Sequence, residues 1–320
     1  MESPADVDWQ PDRPAWQADP LSWQSRPKFQ DRVWIHIVLL ALTVATTTFI
    51  GAMQYSAFAE TVYRAAPQTL ASFILHGFWY SGTILGILGC HELGHYLACR
   101  YYNIDATLPF FLPLPLPPSG TLGAFIRIRE PIPLKRMLFD IGIAGPIAGF
   151  LVAVPALFIG VSKSAVIHMS DPSAAETLGE PLLWKIAAHL VWGSLPDGVD
   201  IYTHPMAFGA WWGMLATSLN LFPIGQLDGG HISYTVLGRK ASIVSLVGIA
   251  AGIVMSFITP TWIVWTVLMV VMLRVFGRHH PPVMDEDVPL DRTRMVLAAF
   301  AVLMFVLCFI PVPFSTSAAR

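Results

Sequence analysis

The chain has 320 residues, of which 54% are hydrophobic and only 12% are charged, and its mean hydropathy is +0.58. A soluble domain carries roughly 25% charged residues, so this composition is typical of a membrane protein. The formal net charge of −2 gives no reason to expect a nucleic-acid partner. The three cysteines, Cys90, Cys99 and Cys308, lie in or beside apolar runs, and their odd number does not suggest a disulfide framework.

Residues 1–32 differ from the rest of the chain because they are polar, rich in proline and dotted with tryptophan. They lack the apolar stretch of a secretory signal, and their acidic residues are atypical of an organellar transit peptide. We therefore expect a disordered or surface-lying tail. A chain with no import signal fits a prokaryotic cytoplasmic membrane best.

Seven apolar runs are candidates for membrane-spanning helices, which need about 20 residues each. They are residues 33–55, 71–98, 138–160, 205–222, 241–258, 261–276 and 295–313. Residues 182–195 are too short to span and predict an interfacial or re-entrant helix. The sequence thus predicts an all-α polytopic membrane protein with about six or seven transmembrane helices. Its parts would be a polar cytoplasmic tail (1–32), a transmembrane core (33–276), a polar cytoplasmic loop (277–294) and a C-terminal transmembrane helix with a short tail (295–320).

Lysine and arginine in the loops predict the orientation of these spans, because cytoplasmic loops carry an excess of both. With the N-terminus in the cytoplasm, 15 of the 19 Lys and Arg residues fall on the inner side. Only Arg64, Lys163, Lys185 and Arg320 fall outside. We therefore expect a cytoplasmic N-terminus.

Residues 108–129 are apolar as far as Arg127 but contain five prolines, which exclude both a helix and a central strand. The end of this segment, GAFIRIR (123–129), alternates as a strand does. Ala124, Ile126 and Ile128 would lie on one face, and Phe125, Arg127 and Arg129 on the other. Two interpretations remain open: an ordinary hairpin at the interface, or a re-entrant hairpin beside an active site whose open edge pairs with an extended peptide.

The stretch CHELGHYLAC (90–99) places an H-E-x-x-H motif at the end of the second predicted span. On a helix, His91 and His95 share a face and can bind one metal ion, while Glu92 stays free to act as a base. About 0.007 such matches are expected by chance from ten His and seven Glu. Ionisable residues in a span are costly, which also favours a functional site. Cys90 and Cys99 flank the pair and are further candidates for metal ligands, although we favour their interpretation as small buried apolar side chains.

Hydrolytic zinc sites take three protein ligands and leave one position for water, so a third ligand must come from elsewhere in the chain. The stretch TSLNLFPIGQLDGGH (217–231) offers Asp228 and His231 at the end of the fourth predicted span. Both this span and the second run from outside to inside, so Asp228 is expected on the same cytoplasmic side as His91 and His95. The other histidines fit this position less well.

Taken together, HELGH, NLFPIGQLDGG (220–230) and the segment from Gly123 to Phe150 resemble the site-2 proteases, which are zinc-dependent intramembrane metalloproteases. The resemblance covers residues 74–238, about half of the chain. It implies one zinc ion with His91, His95 and Asp228 as ligands and Glu92 as catalytic base. It also suggests that Asn220 helps to hold the substrate backbone or the transition-state oxyanion. Members of this family cleave transmembrane helices of membrane-anchored regulatory proteins.

The first hypothesis is therefore a zinc endopeptidase acting within the membrane on anchored proteins, with the strand around Gly123 and Phe125 binding the unwound substrate. A second is a non-catalytic zinc-binding membrane protein, either a pseudoprotease or a metal carrier. The presence of Glu92 counts against it, because zinc binding does not need a free base. An iron-dependent lipid desaturase or hydroxylase would need many more histidines. The spacing Gly145-x-x-x-Gly149 favours close helix packing within one subunit over dimerisation, and the sequence does not fix the oligomeric state.

Overall fold

A computed structural model of the chain describes residues 28–65, 69–168, 177–196, 198–258, 260–276, 283–312 and 314–315. Helices dominate the described residues. They are α1 (Val33–Tyr63), α2 (Leu70–Tyr101), α3 (Lys135–Lys163), α4 (Leu182–Trp192), α5 (Pro205–Asn220), α6 (Asp228–Leu237), α7 (Ala241–Ile258), α8 (Thr261–Phe276) and α9 (Arg292–Cys308). The predictions for the tail before residue 28, for residues 277–282 of the polar loop and for the end of the chain beyond residue 315 lie outside the described residues.

Four helical segments are long and apolar enough to cross a membrane: α1, α2, α3 and the stretch Asp228–Phe257, in which a short 3-10 turn (Gly238–Lys240) joins α6 to most of α7. Helices α5, α8 and α9 occur where the sequence predicts spans, but they have only 16, 16 and 17 residues. At 1.5 Å per residue they reach about 24–26 Å, which is less than the hydrocarbon core of roughly 30 Å. Within the described chain, the expected count of six or seven spans is therefore not supported beyond four. Helix α4 is short, as predicted.

The long helices approach each other closely at glycines. A Cβ atom on Gly51 of α1 would lie 2.4 Å from the Gly77 carbonyl oxygen of α2, and one on Gly94 would lie 2.5 Å from the Ala144 carbonyl oxygen of α3. Only glycine allows such backbone contact, which is how helices pack tightly in lipid. The largest buried cluster then joins α3, α5 and α9, with Phe139, Leu157, Trp211, Met214 and Met304 at its centre.

A two-stranded hairpin follows α2 as the sequence predicts. Strand β1 (Phe110–Pro113) pairs antiparallel with β2 (Thr121–Phe125). The predicted strand over 123–129 is shifted: β2 ends at Phe125, and Ile128 makes only an isolated bridge to Ala106. The predicted faces are nevertheless correct, since Ala124, Ile126 and Ile128 are half-buried and Phe125, Arg127 and Arg129 are exposed.

The hairpin lies along α1 and not across its end. His36 contacts the Pro109 carbonyl at 3.1 Å, Thr46 donates to the Gly120 carbonyl at 2.8 Å, and Gln54 donates to the Pro118 carbonyl at 3.3 Å. Residues 36 and 54 are about 27 Å apart along a helix. The hairpin therefore lies along more than half of the length of α1, a helix long enough to cross a membrane, and this is the arrangement that the re-entrant interpretation expects. Tyr80 of α2 fixes its tip by donating to the Ser119 carbonyl at 2.7 Å.

Residues 28–32 form an N-terminal strap across the base of this hairpin and are not a free tail. The buried carboxylate of Asp31 accepts from the Leu108 N–H at 2.9 Å and pairs with Arg129, so it joins the two limbs of the hairpin. Lys28 pairs with Glu130 at 3.0 Å. The described end of the polar loop is also held in place, since Lys135 at the start of α3 donates to the carbonyl of Glu286 at 2.6 Å.

Two short pairings complete the described strands. Strand β3 (Ala165–His168) pairs with β5 (Val199–Tyr202), and β4 (Thr177–Leu178) pairs with β6 (Phe314–Ser315), both antiparallel. Strand β3 directly follows the C-terminal end of α3, whereas Gly145 and Gly149 in the middle of α3 face the H-E-x-x-H motif.

Candidate metal centre and active site

The H-E-x-x-H motif lies in the last three turns of α2. His91 and His95 are one helical turn apart, both are buried, and their ring centroids are 4.8 Å from each other. Gly94 lies between them on the side where α3 passes, and its missing side chain lets the α3 backbone reach the histidines. The sequence HELGH therefore supplies both the two histidines of the site and the glycine at which α3 packs closely against α2.

Asp228 completes a three-residue cluster with these histidines. Its Oδ2 atom lies 3.1 Å from Nε2 of His91 and 3.3 Å from Nε2 of His95, and the two nitrogens are 3.1 Å apart. Among the described residues this is the one group of three or more His, Cys, Asp or Glu side chains close enough to hold a metal ion. The other candidates in the sequence, His231, Cys90 and Cys99, are not part of it.

Glycines after Asp228 explain how it reaches the cluster. Asp228 is the first residue of α6, which follows the turn that ends α5. A Cβ atom on Gly229 would lie 2.0 Å from the Leu221 carbonyl oxygen, and one on Gly230 would lie 2.3 Å from the Gly225 carbonyl oxygen. Only glycine at both positions lets α6 begin so close to this turn, and the turn directs the carboxylate toward α2.

The donor atoms of this cluster fit a bound cation. The Ile141 carbonyl of α3 lies 2.7 Å from Nδ1 of His95, so a neutral ring donates from Nδ1 and carries its lone pair on Nε2. That lone pair and the Asp228 carboxylate then face each other inside the protein, an arrangement that a cation stabilises. Ligands about 2.05 Å from a tetrahedral zinc ion are about 3.3 Å apart, which matches the observed 3.1–3.3 Å. A histidine ligand whose second nitrogen donates to a carbonyl is also usual for metal sites.

Helix α3 covers both histidines through its small residues. A Cβ atom on Gly145 would lie 2.1 Å from Nε2 of His95, and one on Gly149 would lie 3.2 Å from Cβ of His91. The Gly145-x-x-x-Gly149 spacing thus packs within one chain, as the sequence analysis favours. Sequence reasoning missed that Gly145 and the Ile141 carbonyl belong to the site. The GPIAG pattern signals close approach but does not say which residue approaches.

Glu92 is buried beside the cluster without belonging to it. Its carboxylate lies within electrostatic reach of His91, His95 and Asp228, and it interacts with the backbone N–H of Ile126, the first residue after β2. The hairpin therefore meets the site at the one carboxylate that the cluster leaves free.

The remaining predicted site residues surround this centre at different distances. The Asn220 side-chain nitrogen, at the end of α5, lies 3.2 Å from Nε2 of His91. Gly123 has a φ of +108° and would have open space around a Cβ atom. Phe125 is 45% exposed and stacks on Phe110 at 5.3 Å. Asn220 is thus at the centre itself, whereas Gly123 and Phe125 lie on the adjoining strand.

Comparison with known proteins gives the relationships of the chain. A family model described as "Peptidase family M50" matches residues 79–248, more than half of the sequence. "Probable zinc metalloprotease EGY2, chloroplastic" from Arabidopsis thaliana is 29% identical over 236 residues, which cover 72% of this chain and 41% of that protein. "Probable zinc metalloprotease EGY1, chloroplastic" from Arabidopsis thaliana is 24% identical over 310 residues, with coverage of 88% and 54%. "Probable zinc metalloprotease EGY3, chloroplastic" from Oryza sativa subsp. japonica is 28% identical over 246 residues, with coverage of 71% and 40%.

The chain spans about two fifths to one half of the length of these curated relatives. No solved structure gives a significant match. The family model covers α2 from its third turn through the first half of α7, and so includes His91, Glu92, His95 and Asp228. The chain therefore belongs to peptidase family M50, the family of the site-2 proteases.

Proposed function

We propose that this protein is an intramembrane zinc endopeptidase, which hydrolyses peptide bonds within or near transmembrane segments of membrane-anchored proteins in regulated proteolysis. The observation that carries the proposal is the position of Glu92. It is a buried carboxylate beside His91, His95 and Asp228, and those three residues suffice to hold a metal without it. The names of the relatives, zinc metalloproteases, support the same chemistry.

In this proposal His91, His95 and Asp228 hold one zinc ion, and the Ile141 carbonyl keeps His95 in the ligating tautomer. A zinc ion held there supplies Lewis acidity, which polarises the scissile carbonyl and lowers the pKa of water. Glu92 accepts a proton from the attacking water and passes it to the leaving amine. The Asn220 amide is near enough to donate a hydrogen bond to the substrate backbone or to the oxyanion.

The proposed substrate site is the outer edge of β2. A helical substrate hides its carbonyls in its own hydrogen bonds, so it must unwind before attack, and an open strand edge offers its backbone new partners. The contact between the Ile126 N–H and Glu92 supports this placement, because a peptide paired along the edge would pass the catalytic base. Substitution of Gly123 or Phe125 is expected to weaken cleavage without removing zinc.

We further propose that the site faces the cytoplasmic side, because this orientation places most Lys and Arg residues inside. The host membrane stays a prediction. The relatives are named as chloroplastic, and a prokaryotic cytoplasmic membrane is what the sequence analysis expects for this chain.

A cleavage assay on wild type and two variants tests the proposal. Detergent-purified protein is incubated with a panel of single-span reporter proteins, and fragments are quantified for wild type, Glu92→Gln and Glu60→Gln. Glu60 is an exposed carboxylate of α1, so its variant controls for the loss of one charge. We expect cleavage by wild type and Glu60→Gln, and a loss of about 10²–10⁴-fold in Glu92→Gln with unchanged zinc content. Equal cleavage by Glu92→Gln would refute the role of Glu92. Zinc binding without any Glu92-dependent cleavage would favour the non-catalytic zinc-binding alternative.

A further inference from the structure

Three helices meet at the carboxylate of Asp140 in the first turns of α3. Arg294 of α9 donates from Nε to Oδ1 at 2.8 Å and from Nη2 to Oδ2 at 2.5 Å. The Tyr102 hydroxyl, at the C-terminal end of α2, donates to Oδ2 of the same carboxylate. Asp140 therefore connects the helix that carries the histidines with α3 and with the last described helix.

This cluster lies directly beside the contact that orients His95. Asp140 precedes Ile141, whose carbonyl lies 2.7 Å from Nδ1 of His95. Tyr102 follows His95 by seven residues, or about two turns, so the two side chains leave α2 on the same face. Helices α2 and α3 are thus joined at two successive levels, by His95 with Ile141 and by Tyr102 with Asp140. A shift of α3 along α2 would disturb both.

Arg294 stabilises the contact between Tyr102 of α2 and Asp140 of α3. The side chains of Arg294 and Asp140 are only 22% and 24% exposed, so a carboxylate there without its partner would be poorly solvated. The two-pronged contact fixes direction as well as distance. Arg294 also pairs with Asp291, the residue that caps the N-terminus of α9, so the guanidinium is held from its own helix.

We propose that Arg294 is a positioning residue for the metal centre: through Asp140 it fixes α3 against α2 and thereby holds the Ile141 carbonyl that orients His95. The proposal rests on the proposed function only in assuming that the centre binds zinc. Arg294 lies outside residues 79–248, so a helix beyond the part matched by the family model would contribute to the site.

The test is zinc affinity, measured by chelator competition on detergent-purified protein, together with the visible spectrum of the cobalt-substituted protein. The variants are Arg294→Ala, Arg294→Lys and, as matched control, Arg292→Ala, which removes an exposed positive charge two residues earlier. We expect zinc affinity to fall about 10-fold in Arg294→Ala, as it does when a residue that supports a metal ligand is lost, and we expect the cobalt spectrum to change. Arg292→Ala should match wild type. Arg294→Lys keeps the charge but not the two hydrogen bonds to Asp140, so its zinc affinity should lie between those of wild type and Arg294→Ala. Arg294→Lys also serves as the test variant if Arg294→Ala does not fold.

A rescue experiment separates positioning from general stability. Removing the charge of Asp140 in the double variant Asp140→Asn/Arg294→Ala leaves an acceptor for Tyr102 and no unpaired carboxylate. The double variant should then bind zinc more tightly than Arg294→Ala, with an affinity closer to that of wild type. Wild-type zinc affinity and cobalt spectrum in folded Arg294→Ala would overturn the inference while leaving the proposed peptidase intact. Loss of zinc affinity in Arg294→Ala, where wild type binds zinc but shows no Glu92-dependent cleavage, would leave the inference intact and count against the peptidase.

Discussion

Gly145→Ala offers a sharp test of the metal centre, because it inserts one methyl group at a known distance from a proposed ligand. The new Cβ atom would lie 2.1 Å from Nε2 of His95, 2.4 Å from Cδ2 and 2.5 Å from Cε1. Ordinary van der Waals contact requires at least 3.4 Å, so the Nε2 atom must move by about 1.3 Å. Zinc–ligand distances tolerate about 0.2 Å, so the displaced ring can no longer ligate with Asp228 and His91.

The same geometry predicts little effect on folding. The obstructed atoms are the far end of a side chain, which can rotate away, and alanine is favoured over glycine in a helix by about 1 kcal/mol. We therefore expect Gly145→Ala to purify with a near-normal unfolding temperature in detergent but to lose most of its zinc, measured by elemental analysis. Gly82→Ala is the matched control, since a Cβ atom there meets nothing within 4 Å. Full zinc content in Gly145→Ala would show that His95 is not a ligand in this geometry.

Three further predictions concern the scaffold around the centre. Tyr80→Phe leaves the carbonyl at the hairpin tip unpaired and should lower the unfolding free energy by about 1–2 kcal/mol without changing zinc content; unchanged thermal unfolding would contradict the anchoring role. Asp31→Ala leaves the Leu108 N–H without its acceptor and should cost about 2 kcal/mol, and Arg129→Ala, which leaves the buried Asp31 carboxylate unpaired, should cost at least as much; unchanged unfolding temperatures in both variants would argue against the strap. Burial, followed by the charges of Lys163 and His76, lowers the pKa of His204 from 6.5 to about 4. As the pH falls, the unfolded chain therefore takes up a proton at this histidine before the folded chain does. The contribution of His204 to the unfolding free energy is thus complete above pH 6.5 and falls by at most about 3 kcal/mol toward pH 4. The unfolding temperature of His204→Asn, a variant that keeps the helix cap, should vary less with pH across this range than that of wild type. An equally steep pH dependence in the variant would refute the assignment of this effect to His204.

The sequence predicts which side chains cluster at the candidate metal centre because most of that cluster depends on local spacing. The i, i+4 positions of His91 and His95 fix a common face on any helix, and Glu92 between them needs no tertiary information. Asp228 requires one long-range argument, namely that two spans running in the same direction end on the same side. The structure places it with the histidines and leaves His231 outside the group.

The parts that could not be predicted depend on contacts between distant segments. Every residue has a carbonyl, so nothing in the sequence distinguishes that of Ile141 as the partner of His95. The pairing of Asp31 with Arg129 and of Arg294 with Asp140 joins residues about 100 and 150 positions apart, and any of the many arginines could have been the partner. Charged residues near predicted span ends are explained equally well by membrane orientation.

The number of spans and the exact limits of the hairpin strand could not be read from the sequence, for reasons of length and backbone chemistry. Apolar composition identifies helices α5, α8 and α9, but it does not say that each ends after 16 or 17 residues. Alternation identifies the faces of residues 123–129 correctly, yet regular pairing with β1 ends at Phe125. Burial alternates beyond that residue because the chain stays extended there and pairs with residues 105–107 through the Thr107 N–H with the Arg127 carbonyl and the Arg129 N–H with the Asp105 carbonyl.

Zinc content of the detergent-purified protein tests the central claim most directly, measured in wild type, Asp228→Ala and His231→Ala. The two variants alter neighbouring turns of α6, and only Asp228 lies within reach of both histidines. We predict about one zinc per chain in wild type and in His231→Ala, and a large loss in Asp228→Ala. Absence of zinc from carefully prepared wild type, or its retention in Asp228→Ala with loss in His231→Ala, would contradict the ligand set on which the account depends.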